Sequence, residues 1–131
     1  MIHSNGPDGC LSCNSKLQFC HIDIQHMFAF IRVNFPDAHI AWGFRDERNQ
    51  TADFMAGRSK LDWPNSKHNF TLDGRPCSKA IDLFRLDEYG KAEWNVGWYE
   101  SIWNILKTTG LSITWGGTFK HFKDSDHFEI T

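Results

Sequence analysis

Three short stretches carry side chains that could do chemistry: "SKHN", with Ser66 and His68; "SKAIDL", with Asp82; and "DSDHFEI", with Asp124, Asp126, His127 and Glu129. Asp82 sits within an otherwise apolar strand pattern, where a carboxylate is costly unless it is paired, hydrogen-bonded or bound to a metal. A metal shared by His68, Asp82 and His127 would meet that need. Two imidazoles, one carboxylate and an open fourth position make the donor set of a catalytic zinc site. Such a metal lowers the pKa of a bound water, and a nearby carboxylate can then take its proton. The residues also have plainer readings. Asp82 suits a turn cap or a pair with Arg85, His68 a solvated loop, and His127 a satisfied edge strand. His3, His21, His26, His39 and His121 read as surface or structural residues. As bare patterns, H-x13-D and D-x-x-H are not diagnostic.

The elements that must position these groups follow from periodicity. Leu17, Cys20, Ile24, Met27, Phe28, Ile31 and Phe35 recur at steps of three and four, which predicts one amphipathic helix from Leu17, with Ser12 or Asn14 as N-cap and Pro36 as its stop. "AHIAWGF" predicts a short strand. "RDERNQTADFMAGRS" predicts a helix capped near Asp46 and stopped by Gly57. "KLDWPNSKHNFTLDGRPC" is punctuated by Pro, Asn, Gly and Ser and reads as a long loop, a class that is usually functional or disordered. "KAIDLFRL" predicts a strand, "NVGWYESIWNILKTTG" a third helix ending at Gly110, and "LSITWGG" and "DHFEI" two further strands. The order implies an α+β fold: a small antiparallel sheet carrying the site, with about three flanking helices. At 131 residues the chain fits a single domain over 1–131, with 1–12 read as an N-terminal extension.

Composition sets the outer bounds. A hydrophobic share of 40%, 23% charged residues and a net charge of −2 with scattered lysines and arginines argue for a globular protein without a nucleic-acid partner. No apolar run has membrane-spanning length, and "MIHSNGPDGC" has neither a basic nor an apolar leader region. The expectation is a cytoplasmic monomer. Cys10, Cys13, Cys20 and Cys77 include a C-x-x-C, but no second pair follows, so they read as reduced thiols rather than a zinc knuckle. Six tryptophans also admit a wall-binding groove built from Trp63, Trp98 and Trp115, although that leaves Asp82 unexplained.

"SKHN…AIDL" followed by "WGGTFKHFKDSDHFEI" resembles the zinc peptidases of bacterial cell-wall peptides, the D-alanyl-D-alanine carboxypeptidase and L-alanyl-D-glutamate endopeptidase family, which includes phage endolysins. "CNSKLQ", "WGFRDERNQ" and "GRSKLDWPNSKHN" resemble its phage and prophage members, and the likeness runs from Cys13 to Ile130. It implies Zn2+ held by His68, Asp82 and His127, with Asp124 as general base. It implies that Arg45 stabilises the oxyanion or grips a substrate carboxylate, and that Ser66, Gln50 and Trp115 belong to the substrate site. The implied activity is cleavage of stem peptides, an L-alanyl–D-glutamate endopeptidase acting in phage or prophage lysis, on the wall after release or from a virion. A D-alanyl-D-alanine carboxypeptidase and a non-catalytic zinc module of the same fold are the alternatives. Two departures stand out. The segment from His68 to Asp82 is longer than in many members, so "NFTLDGRPC" must bulge away. Asp126 also adds a charge beside His127. Strand parity alone would pair Glu129 with His127 on one face; Asp124 requires a bend before the strand.

Overall fold

The computed structural model describes residues 11–120 and 122–131. His3, Cys10 and His121 lie outside them, as does most of the expected extension over 1–12; Leu11 and Ser12 already belong to a helix. The helices are α1 (Leu11–Leu17), α2 (Ile22–Asn34), α3 (Glu47–Met55) and α4 (Val96–Leu106). The strands are β1 (His39–Trp42), β2 (Thr71–Leu72), β3 (Arg75–Pro76), β4 (Ala80–Leu86), β5 (Ala92–Glu93), β6 (Ile113–Trp115) and β7 (His127–Ile130). The expected α+β class holds, with four helices among the described residues instead of three.

The difference lies in the first helical run. It breaks between Leu17 and Ile22, because the backbone there pairs with Ser78: Ser78 N donates to Phe19 O at 2.8 Å and His21 N to Ser78 O at 2.8 Å. Apolar residues at steps of three and four continue through the break, so periodicity alone cannot reveal it. Cys20 stays buried at the parallel bridge. The N-cap of α2 is neither Ser12 nor Asn14 but His21, whose Nδ1 accepts from Asp23 N at 3.0 Å. Asp46 caps α3 as its sequence predicts, accepting from Asn49 N at 2.9 Å.

The main sheet runs in the order β1-β4-β7-β6, all antiparallel, with β5 pairing the far end of β4. The closing strand β7 is therefore an inner strand, laddered on both sides. Alternation along the two central strands separates core from site. Ile81, Leu83, Phe128 and Ile130 join α2 residues Ile24, Met27, Phe28 and Ile31 and α4 residues Tyr99, Ile102 and Leu106 in one core. Asp82, His127 and Glu129 fall on the opposite face.

The long loop is more ordered than its composition suggests. Lys67–Asn69 forms a single 3-10 turn, and the chain then makes a hairpin of β2 and β3. Asp73 at φ +52° and Gly74 at φ +77° supply the two left-handed turn residues that a tight hairpin needs. The surplus chain between His68 and Asp82 thus folds on itself.

Candidate metal centre and its cleft

Each candidate ligand is set by a different local device. Asp82 and His127 are direct partners across the β4–β7 ladder. His68 lies on the 3-10 turn, which is closed by a reciprocal cap: Ser66 Oγ accepts from His68 N at 3.2 Å and Asn69 Oδ1 accepts from Ser66 N at 3.1 Å. Arg45 N donates to His68 O at 3.0 Å and Asn69 Nδ2 to Arg45 O at 3.0 Å, which ties the turn to the segment leaving β1.

The three side chains converge. His68 Nε2 stands 3.3 Å from Asp82 Oδ1 and 3.3 Å from His127 Nδ1, and His127 Nδ1 stands 3.1 Å from Asp82 Oδ1. Ligands about 2.0–2.1 Å from a tetrahedral zinc are separated by about 3.3–3.4 Å, so the triangle matches one face of such a tetrahedron. The outward nitrogens are also committed. His68 Nδ1 faces Gly43 O at 2.7 Å and His127 Nε2 faces Glu129 Oε1 at 2.8 Å. Both partners only accept, so each ring keeps its proton on the outer nitrogen and turns a lone pair inward. Three lone pairs meeting at this spacing need a cation between them. The residues fit a zinc ion.

Electrostatics point the same way. Burial would raise the pKa of Asp82, but the charge of His68 and hydrogen bonds from His127 and His68 overcome it and hold the carboxyl well below its usual range. Burial would lower His127, yet bonding to Asp82 and Glu129 carries its imidazolium up to about 10 when a proton serves as the central cation.

Asp124 lies on the rim, its side chain 37% exposed, with Oδ2 3.9 Å from His127 Nδ1. The bend it requires is present, since His127 N donates to Asp124 O at 3.1 Å. The "WGG" stretch makes room for it. A Cβ on Gly116 would stand 2.0 Å from Asp124 O, and one on Gly117 would strike the Trp115 ring. Asp126 is pushed up to about 8 by burial and by the neighbouring carboxylates of Asp124 and Asp82.

Arg45 is buried and fully engaged. Nη2 donates to Asp82 Oδ2 at 3.3 Å and Nη1 to Gln50 Oε1 at 3.2 Å. Nε stands 3.2 Å from Asp53 Oδ2, an ion-pair separation without a hydrogen-bond angle. Its guanidinium stacks on Trp42 with 5.0 Å to the ring centroid.

A cleft of about 820 Å³ opens over this centre. Of the expected site residues, His68, Asp82, His127, Asp124, Arg45 and Ser66 line it. Gln50 does not. It is wholly buried, its oxygen taken by Arg45 and Asn69 and its nitrogen by Ser59 Oγ and Leu61 O. Trp115 is also behind the cleft, stacked on Phe128 with its Nε1 donating to Ser125 O at 2.6 Å. The alternative aromatic groove of Trp63, Trp98 and Trp115 does not form; Trp98 is buried in the helix core, and the tryptophans of the cleft are Trp42 and Trp94. The β2–β3 hairpin contributes nothing to the lining. Sequence reasoning missed the Gly43 carbonyl, Asp53 and Asn69. Only Asn69 left a signal, the S-x-x-N spacing of the cap. Among the described residues no cysteine joins a group able to hold a metal, and no helix is long and apolar enough to cross a membrane.

No curated protein matches the chain. Among solved structures, the L-Ala D-Glu endopeptidase ChiX of Serratia marcescens shares the fold, with a TM-score of 0.73 at 22% identity over 92% of this chain and 87% of that one. A family profile described as D-alanyl-D-alanine carboxypeptidase matches residues 62–130. That span is more than half of the sequence and holds His68, Asp82, Asp124 and His127, and by it the chain belongs to the D-alanyl-D-alanine carboxypeptidase family.

Proposed function

We propose that the protein is a zinc-dependent peptidase of bacterial cell-wall stem peptides, with the L-alanyl–D-glutamate bond as its target. The observation that carries this reading is the His68–Asp82–His127 triangle, with both imidazole protons tied outward, beside the half-exposed carboxylate of Asp124. Zinc held there would polarise the scissile carbonyl and lower the pKa of a water molecule. Asp124 would accept a proton from an attacking water and pass it to the leaving amine, a role its place on the rim permits. Arg45 fixes the outer oxygen of Asp82, so that Oδ1 faces the centre, and places its positive charge in the cleft wall near the developing oxyanion. Gln50 holds Arg45, and Trp115 supports the strand that carries His127.

A non-catalytic zinc module would need neither Asp124 on the rim nor a cleft of this size. The family description favours a second bond, D-alanyl–D-alanine. The endopeptidase reading draws on the phage-like motifs and on the activity of the Serratia protein of like fold. The phage or prophage lysis role, cytoplasmic storage and monomeric state belong to the same proposal. Elemental analysis after dialysis, with mass spectrometry of digested peptidoglycan, tests the reading. One zinc per chain and new peptides beginning with D-glutamate are expected; released D-alanine would assign the other bond. Stoichiometric zinc retained by a His68→Ala, Asp82→Ala, His127→Ala triple variant would refute the ligand set.

A further inference from the structure

The cleft holds side chains of both signs, and they are treated differently. Its carboxylates are engaged: Asp53 with Arg45 and Arg58, Asp82 with the two imidazoles and Arg45, Glu129 with His127, and Asp126 with Asp124. Arg45 has each of its three nitrogens committed. Lys60 lies over the Phe122 ring at 5.1 Å, and Lys120 is solvent-exposed. Lys67 differs from both. It lines the cleft half-buried, between Ser66 and the metal-facing His68, and among the described residues its ammonium has neither a carboxylate nor a carbonyl partner. Its backbone is held, since Lys67 O accepts from Lys79 N at 2.9 Å. An ammonium on a fixed backbone in the cleft wall, with no internal counter-ion, is free to meet an anion that arrives from outside.

Resting on the peptidase reading above, we infer that Lys67 is a specificity-determining residue that pairs with a free carboxylate of the substrate beside the scissile bond. The enzyme thereby selects acidic stem peptides over their amidated counterparts. In an L-alanyl–D-glutamyl peptide the group in reach is the glutamyl α-carboxylate, which some cell walls carry as the amide. A charge-assisted hydrogen bond gives discrimination of about tenfold or more between the two forms.

The test uses L-alanyl-γ-D-glutamyl-L-lysine with the glutamyl α-carboxyl free or amidated, and the zinc-loaded wild type, Lys67→Met and Lys67→Arg, each checked by circular dichroism. The wild type should favour the free acid in kcat/KM by about tenfold or more. Lys67→Met should bring that ratio to within about twofold of one, while Lys67→Arg keeps a clear preference. Equal rates on both peptides in the wild type, or a preference that survives in Lys67→Met, would overturn the assignment. Hydrolysis of neither peptide would instead count against the target bond. Calorimetric binding of the same two peptides to wild type and Lys67→Met then decides the subsite alone: acid-selective binding lost with Lys67 supports it, and equal or undetectable binding of both overturns it.

Discussion

Gly116 offers a sharp perturbation, because its hydrogen occupies the space over which Asp124 crosses. A Cβ built there lies 2.0 Å from Asp124 O and 2.9 Å from Asp124 C. Carbon and oxygen settle about 3.3–3.6 Å apart, so Gly116→Ala must push the Asp124 backbone away by more than about 1 Å. Neighbouring contacts resist that shift: Asp124 N donates to Gly116 O at 3.0 Å, and Asp124 O accepts from His127 N at 3.1 Å. Overpacking of this kind costs about 1–3 kcal/mol. At about 4 °C per kcal/mol for a chain of this length, the melting temperature should fall by about 4–12 °C. A base displaced by about 1 Å loses about a hundredfold in rate. Turnover on peptidoglycan fragments at saturating zinc, with thermal melts followed by circular dichroism, reads both effects. Wild-type values in both assays would show that Asp124 does not pass over Gly116. A lowered melting temperature with undiminished turnover would remove Asp124 from the reaction.

The remaining expectations are narrower. Asp124→Asn should keep the zinc and the melting temperature while losing about a hundredfold or more in turnover; near wild-type activity, with Glu129→Gln inactive, would move the base to Glu129. Glu129→Gln should weaken zinc binding by about 10–100-fold in competition with a chromogenic chelator, since it removes the charged acceptor from His127 Nε2 at 2.8 Å. Phe128→Ala should destabilise the apoprotein by about 3–5 kcal/mol in urea melts, because its ring is fully buried and stacked on Trp115. Among the described cysteines, Cys77 should react first with a disulfide reagent at pH 8 and Cys20 should be protected, since burial pushes its thiol up to about 12; mass-spectrometric mapping of labelled peptides reads the order.

What the sequence made legible was the set of residues that act through their own side-chain type. A carboxylate among Ala80, Ile81 and Leu83 and an alternating "HFEI" point to a sheet with one apolar and one reactive face, and the β4–β7 register puts Asp82 opposite His127. Asp46 and Gly57 mark helix ends because capping is a local matter. What stayed hidden depends on segments far apart in the chain. The break before α2 is set by Ser78, and the tautomer of His68 by the carbonyl of Gly43, a group that every residue type carries. Gln50 and Trp115 were expected at the substrate through resemblance, but motif membership does not separate a residue that touches a ligand from one that holds the residue doing so. The loop from Lys60 to Cys77 looked irregular because its order comes from a one-turn cap and a two-residue hairpin, both too short to show a period.

The buried charges explain why the parts of this site depend on one another. Arg45 is balanced by Asp53, which Arg58 also contacts from the surface. Beyond that pair, Asp82 and Glu129 are ionised partners of the two imidazoles, and the outward tautomers leave both rings neutral once a metal replaces the central proton. The Asp82 carboxylate then faces the centre, with Arg45 on its outer oxygen at 3.3 Å, while Glu129 stands behind His127 at the outer nitrogen. A cation at the centre offsets the remaining negative charge, and burial tolerates only a small remainder. Removing the metal leaves either that deficit or a proton held on His127, and the folded state then loses the free energy of binding by mass action. Since His127 and Asp82 are neighbours on the two central strands, that loss falls on the middle of the sheet and not on its edge. A chelator should therefore lower the melting temperature of the whole protein in one transition, and separate melting of the β7 strand at unchanged global stability would contradict the coupling.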